Sequence, residues 1–270
     1  MSNYRTHSLF HYTEKSNSLL DIIKSGILYP NFCEEDLSTK KNPNYILGIP
    51  QICFCDIPIS LSISNAFLEQ YGHYAIAFDK EWGIRKRCNP IQYVSNETII
   101  DGVIHYKTRM RKLHADLGQR IAIQGWSSNI SEYIKYLEDI QAYIYLIGFL
   151  KKYNGEWKGE PYCNYNENEW RFIIPDGFNK IRWKTGQEYD KWRGNPKQPK
   201  PEPTIELKKS GLKFQPNNIT HIILKKEEEI PDFIKELSSI DKVGNYKLSD
   251  KTKYSLISKI TSFERISKDF

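Results

Sequence analysis

The run Asn164–Ile174 reads Asn-Tyr-Asn-Glu-Asn-Glu-Trp-Arg-Phe-Ile-Ile, and it limits the fold more than any other stretch. Its residues alternate with the period of two that belongs to a strand: Glu167, Glu169 and Arg171 share one face, Trp170, Phe172 and Ile174 the other. The apolar set needs a core beneath it. The charged face carries two carboxylates two residues apart, which repel each other and raise one pKa unless a cation such as Arg171 offsets them. Paired acids on a rigid strand suit a group-transfer site. A half-solvated strand with an ordinary charged outer face accounts for the same residues.

With 270 residues the chain is long enough to bury one large core, and an aromatic content of 13% argues for a folded protein over a disordered one. The net charge of +6 permits a nucleic-acid partner without demanding one. The five cysteines, Cys33, Cys53, Cys55, Cys88 and Cys163, are odd in number and form no Cys-x2-Cys pair, which fits a reduced, cytoplasmic protein without structural zinc. Met1 is followed by polar residues, and no run approaches the roughly 18 apolar residues of a membrane span, so a soluble protein is expected.

In chain order, Ser8–Thr13 reads as a first strand with His11 near its end. Ser16 is the expected cap of a helix over Asn17–Ser25 that Gly26 stops. Asn31–Gly48 is polar and reads as a surface loop; Pro50–Pro58 is a compact apolar strand carrying Cys53 and Cys55 on one face. A helix over Leu61–Tyr71, a strand over His73–Phe78 and a short helix capped by Asp79 follow. Glu97–Gly118 and Ser131–Lys152 read as longer helices, with basic residues Arg109, Arg111, Lys112 and Arg120 between their apolar stripes. Lys184–Thr204 mixes prolines, glycines and cations and reads as a long basic loop, after which a strand at Ile219–Leu224 and a helix at Ile230–Ser239 resume. One domain over residues 1–270 is expected, with a helical insertion around 97–152 and the basic Pro-rich loop around 184–204.

The first half resembles the AbiGi family of abortive phage-resistance proteins. The residues that carry this are Phe10-His11-Tyr12-Thr13, Ile22-Ile23-Lys24-Ser25-Gly26, Cys53-Phe54-Cys55-Asp56-Ile57-Pro58-Ile59-Ser60, Tyr71-Gly72-His73-Tyr74 and Glu167-Asn168-Glu169-Trp170-Arg171. The resemblance implies a role in bacterial defence against phage, and the family's label of antitoxin implies a toxin partner.

A more distant resemblance concerns architecture. A strand ending near His, a helix ending at Gly, a second strand before a Pro-bounded turn and a later Glu-x-Glu strand look like the ADP-ribosyltransferase fold, including the DarT-like DNA-modifying toxins. This implies an α+β fold, a split mixed β-sheet core with flanking helices. It also implies transfer of ADP-ribose from NAD to a nucleic-acid or protein acceptor, without a metal. Glu169 takes the catalytic place, Glu167 the acceptor-orienting one and His11 the ribose-contacting one. Tyr12, Thr13 and Phe54 lie on the NAD side. No arginine stands beside His11, so Arg85 or Lys86 would hold the pyrophosphate. The other reading is a non-catalytic antitoxin, or another partner-binding protein, on a degenerate transferase fold.

Overall fold

Strands from distant parts of the chain lie side by side at the middle of one mixed sheet: Ser8–Thr13, Ile46–Cys55 and Glu169–Ile173. The computed structural model describes residues 6–61, 65–124, 145–177, 180–195 and 198–269. We number the nine strands of this sheet in chain order as β1 (Ser8–Thr13), β2 (Asn31–Asp36), β3 (Ile46–Cys55), β4 (Tyr74–Asp79), β5 (Asn89–Pro90), β6 (Glu169–Ile173), β7 (Lys184–Thr185), β8 (Ile219–Leu224) and β9 (Ile260–Ser262). Across the sheet the order is β9-β8-β4-β1-β3-β6-β5, with β2 and β7 also paired to β3. The β8–β9 pair is parallel and the other pairs are antiparallel.

β3 joins the two halves. Along one edge it pairs with β2 from Asn31↔Gln51 to Asp36↔Ile46 and meets β1 at Phe10↔Cys55. Between those contacts the Cys53 carbonyl accepts a hydrogen bond from His11 Nδ1 at 2.9 Å. Side chains alternate between the two faces. Leu9, Ile52, Phe54, Ile76, Phe78, Ile222 and Leu224 pack against helix α1 (Ser16–Ser25), Trp82 of a short helix at Lys80–Arg85, and Phe233 and Leu237 of Ile230–Ser238. On the reverse face, Phe10, Cys55, Ala75, Ala77 and Ile223 meet Leu68, Phe263 and Ile266. Farther along that face, Leu47, Ile49 and Ile173 meet Ile100 and Ile104 of a 28-residue helix, Glu97–Gln124.

Several local expectations hold. β1, the helix stop at Gly26 (φ 63°) and the Asp79 cap, whose side chain accepts the Trp82 N–H, are as the sequence reads. Cys53 and Cys55 do share a face. Others need correction. Ser16 does not cap α1: the N-cap is Lys15, without a side-chain hydrogen bond. The polar stretch Asn31–Gly48 contains β2 and the start of β3, because Glu35 and Leu37 turn inward while Glu34 and Asp36 face out. Within Lys184–Thr204 lie β7 and a helix, Gly186–Arg193, closed by a capping box between Thr185 and Glu188. Most of the expected helix Ser131–Lys152 lies outside the described residues, and Leu150–Lys152 is a strand. No described helix is long and apolar enough to cross a membrane.

Candidate functional site

Between the two apolar clusters of the reverse face lies a buried polar one. Register places Glu169 opposite Cys55 and Arg171 opposite Cys53, so these four side chains share that face. Arg171 is 1% exposed and Glu169 5%. Arg171 Nε donates to Glu169 Oε1 at 2.6 Å and Nη2 to Glu169 Oε2 at 3.1 Å. Its Nη2 also reaches Glu35 Oε2 of β2 at 2.5 Å, and its Nη1 the Gly148 carbonyl at 2.7 Å. Lys151 Nζ continues the chain, 3.0 Å from Glu169 Oε2 and 2.6 Å from Glu167 Oε2. Glu167 stands in a 3-10 turn, Asn164–Glu167, and Asn168 (φ 43°) redirects the chain into β6.

Three carboxyls thus share two cations. Burial opposes the charge of Glu169, but Arg171 and then Lys151 outweigh it and hold its carboxyl well below the usual range. Burial pushes Glu35 up to about 6 despite Arg171, and it also raises Glu167 despite Lys151. Lys151 and Arg171 stay firmly protonated: burial disfavours their charge, and the surrounding carboxylates more than restore it. The Tyr71 hydroxyl also hydrogen-bonds the Glu167 carboxyl.

The expected charged outer face of the Glu169 strand is therefore interior. Glu167 and Glu169 do come together, through Lys151, but His11 does not join them. Its ring lies with Phe54 (centroids 5.8 Å apart) on the α1 face, whereas Glu169 projects from the reverse face. Burial keeps the His11 pKa below its ordinary value, against the hydrogen bond to Cys53. Tyr12 points to the reverse face, stacked on Phe263, and Thr13 sits at the strand end beside Lys15. Phe54 is 0% exposed, enclosed by Phe78 and Trp82. The residues assigned to NAD consequently lie on both sides of a packed sheet, one of them sealed in its core, and do not form one dinucleotide-sized site.

Sequence reading missed Glu35 and Lys151, whose signal was weak: an acid alternating with apolar residues in a polar stretch, and a lysine in a presumed helix. It also missed an open aromatic cleft of about 480 Å3 lined by Pro90, Ile91, Gln92, Tyr93, Tyr153 and Tyr165. There Tyr153 and Tyr165 stack with centroids 5.4 Å apart, while the Tyr93 hydroxyl accepts the Glu169 backbone N–H at 2.8 Å. Among the described residues, no group of three or more His, Cys, Asp or Glu is placed to hold a metal.

Comparison with known proteins agrees with the Phe-Cys-Asp-Ile-Pro and Glu-Asn-Glu-Trp-Arg segments. The family model described as abortive phage resistance protein AbiGi, antitoxin, matches residues 27–225. An abortive phage resistance protein AbiGi of Lactococcus lactis subsp. cremoris is 26% identical over 254 residues, covering 90% of this chain and 97% of the relative. No solved structure matches the chain. The chain belongs to the AbiGi family of abortive phage resistance proteins.

Proposed function

We propose that this protein serves phage defence by binding a partner, as an antitoxin that restrains a toxin, and not by transferring ADP-ribose. The observation that carries this is the state of Glu169. Its two oxygens are engaged by Arg171 and Lys151 in the interior, and His11 stands across the sheet. A carboxylate that stabilises oxocarbenium-like charge must be within reach of the sugar. Glu169 would have to break three charge-assisted hydrogen bonds to get there. The network is better suited to fixing β2, β6 and the Leu150–Lys152 strand relative to one another, which keeps the outer surface rigid for a partner.

The second reading, ADP-ribose transfer from NAD to a nucleic acid or protein, is favoured by one feature, the convergence of Glu167 and Glu169 on Lys151. One experiment separates the two. The full-length protein is incubated with NAD labelled in the adenylate, alone and with nucleic acid or cell extract, while its toxin partner, sought among neighbouring genes, is co-expressed for growth rescue. Partner binding predicts no nicotinamide release, no labelled acceptor, and rescue that survives His11→Gln. NAD consumption by the wild type that His11→Gln abolishes, with the fold retained by circular dichroism, would overturn it.

A further inference from the structure

The aromatic cleft beside the ionic network has fixed walls. Three backbone hydrogen bonds pin them: Ile91 N–H to the Glu169 carbonyl at 3.1 Å, Gln92 N–H to that of Phe149 at 2.7 Å, and Tyr153 N–H to that of Val94 at 2.9 Å. On this frame Tyr165 stacks on Tyr153 with 21° between the rings and meets Tyr93 in a T-shaped contact, centroids 5.3 Å apart. Tyr153 is 37% exposed and Tyr165 49%, so the stack is open to solvent. Gln92, exposed beside it, carries an amide that both donates and accepts. The lining holds no charged side chain. Charge stands next to it instead. Arg85, Lys86 and Arg87 close the short helix Lys80–Arg85, and none of the three forms an ion pair among the described residues. Their turn is tied down: buried Cys88 donates its N–H to the Gly83 carbonyl at 2.9 Å, and the Asn89 amide donates to the Arg87 carbonyl at 3.1 Å. Asn89 and Pro90 form β5, and Pro90 lines the cleft. Arg87 therefore lies within about 10 Å of it, the reach of three residues.

We propose that the cleft and the adjoining cations bind single-stranded nucleic acid, the rings taking a base and Arg85, Lys86 and Arg87 the phosphates that follow it. Two chemistries in one place favour this ligand. Every base offers a flat π-face that stacks on tyrosine, and every nucleotide brings a phosphate that an unpaired cation can neutralise. The cleft volume of about 480 Å3 falls within the roughly 300–1,000 Å3 of sites that enclose a small ligand. Tyr153 and Tyr165 cover each other's inner faces, so a base adds to the outside of the pair and lengthens the stack. In a duplex the base faces are covered by their neighbours, which leaves a single strand as the form able to stack here. Charge sets the direction of the strand. Glu156 and Glu160 are exposed on the hairpin that leads away from Tyr153, so a polyanion leaves the cleft toward Arg87 and not along the hairpin. An acidic peptide satisfies the cations but leaves the exposed tyrosine stack unused.

The test uses the full-length protein without any toxin, so its outcome is independent of the antitoxin reading. Fluorescein-labelled oligo(U) and oligo(dT) of about ten nucleotides are the probes, read by fluorescence anisotropy. Saturable binding of either strand is the expected result. Tyr165→Ala, an exposed change, should weaken it about tenfold, and Tyr165→Trp should retain it. Three phosphate contacts give a slope near −2 in log affinity against log salt, about a 20-fold loss between roughly 50 and 200 mM. The triple variant Arg85→Gln, Lys86→Gln, Arg87→Gln should flatten that slope. Arg109→Gln with Lys112→Gln, exposed cations on the long helix, should leave the affinity as it is. Circular dichroism checks that each variant keeps the fold. No saturable binding of either strand, an affinity unmoved by Tyr165→Ala, or equal affinity for a duplex of the same length would overturn the proposal. Displacement of the oligonucleotide by polyglutamate at equal charge would also overturn it, because the cations would then be assigned to an acidic protein segment.

Discussion

Arg171 grips Glu169 of its own strand twice, at 2.6 and 3.1 Å, and a second carboxylate, Glu35, meets the same guanidinium from β2. Arginine presents a planar fork matched to a carboxylate, and lysine does not. Removing that fork leaves Glu35 and Glu169 in the interior, and of the two only Glu169 keeps an ion pair, with Lys151. Arg171→Met should therefore destabilise the fold by about 3–5 kcal/mol, the range for a broken buried ion pair. Urea denaturation followed by circular dichroism measures this. Glu169→Gln combined with Arg171→Met should recover part of the loss, because one uncompensated charge is gone.

Glu35 and Glu169 should give opposite pH dependences. The folded Glu35 pKa, about 6, lies above its ordinary value near 4.5, so the folded state binds the extra proton. Its contribution is full below pH 4.5 and is lost as pH rises toward 6. The Glu35→Gln variant should lack that decline, on the order of 1–2 kcal/mol in denaturation midpoints taken at steps across the window. Glu169 is held the other way, well below its ordinary 4.5. Its contribution is present above that value and disappears as pH falls through the much lower folded one, so Glu169→Gln should flatten the acid limb of the same curve.

His11 should show a third signature. Burial lowers its folded pKa below 6.5, so its contribution is present above pH 6.5 and is lost as pH falls through the folded value. Proton NMR of the imidazole should report a midpoint below 6.5. His11→Gln keeps a donor for the Cys53 carbonyl and should remove the stability change in that window.

At Gly72 (φ +107°) an added Cβ would sit 2.2 Å from the Thr13 carbonyl oxygen, where backbone meets backbone. At Gly194 (φ +64°) it would meet nothing within 4 Å. Gly72→Ala should cost about 3 kcal/mol or more, since the turn before β4 must move away from β1. Gly194→Ala should cost less, about 1–3 kcal/mol, because only the backbone conformation (φ 64°, ψ -138°) opposes it. Thermal melts of the two variants give the comparison.

Apolar periodicity made much of this fold legible. Leu9, Leu19, Ile23, Phe54, Ile76 and Phe78 lie in the core, as the strands and helix that carry them require. The aromatic and apolar face of β6, Trp170 and Phe172, also packs where its alternation says. The candidate site was legible only in part. The pairing of Glu167 with Glu169 was visible in the sequence, but not that their face is internal. That depends on Lys151 and Glu35, whose contacts with β6 no local pattern encodes. The same limit explains β2: Asn31–Asp36 is polar enough to read as a loop, and becomes a strand because Arg171 gives Glu35 a buried partner. His11 was placed correctly on its strand, yet which face it takes is a matter of parity that its neighbours fix.

The ion pair between Glu35 and Arg171 spans 136 positions of the chain. During synthesis the β2–β3 hairpin emerges long before its guanidinium does. Until then it carries an inward acid with no counter-charge and leaves the β3 edge that will receive β6 open. Closure of so long a loop is a late and slow event. A ribosome paused before residue 171 should expose an unpaired edge in the nascent chain, and the time spent in that state sets how much a chaperone is needed.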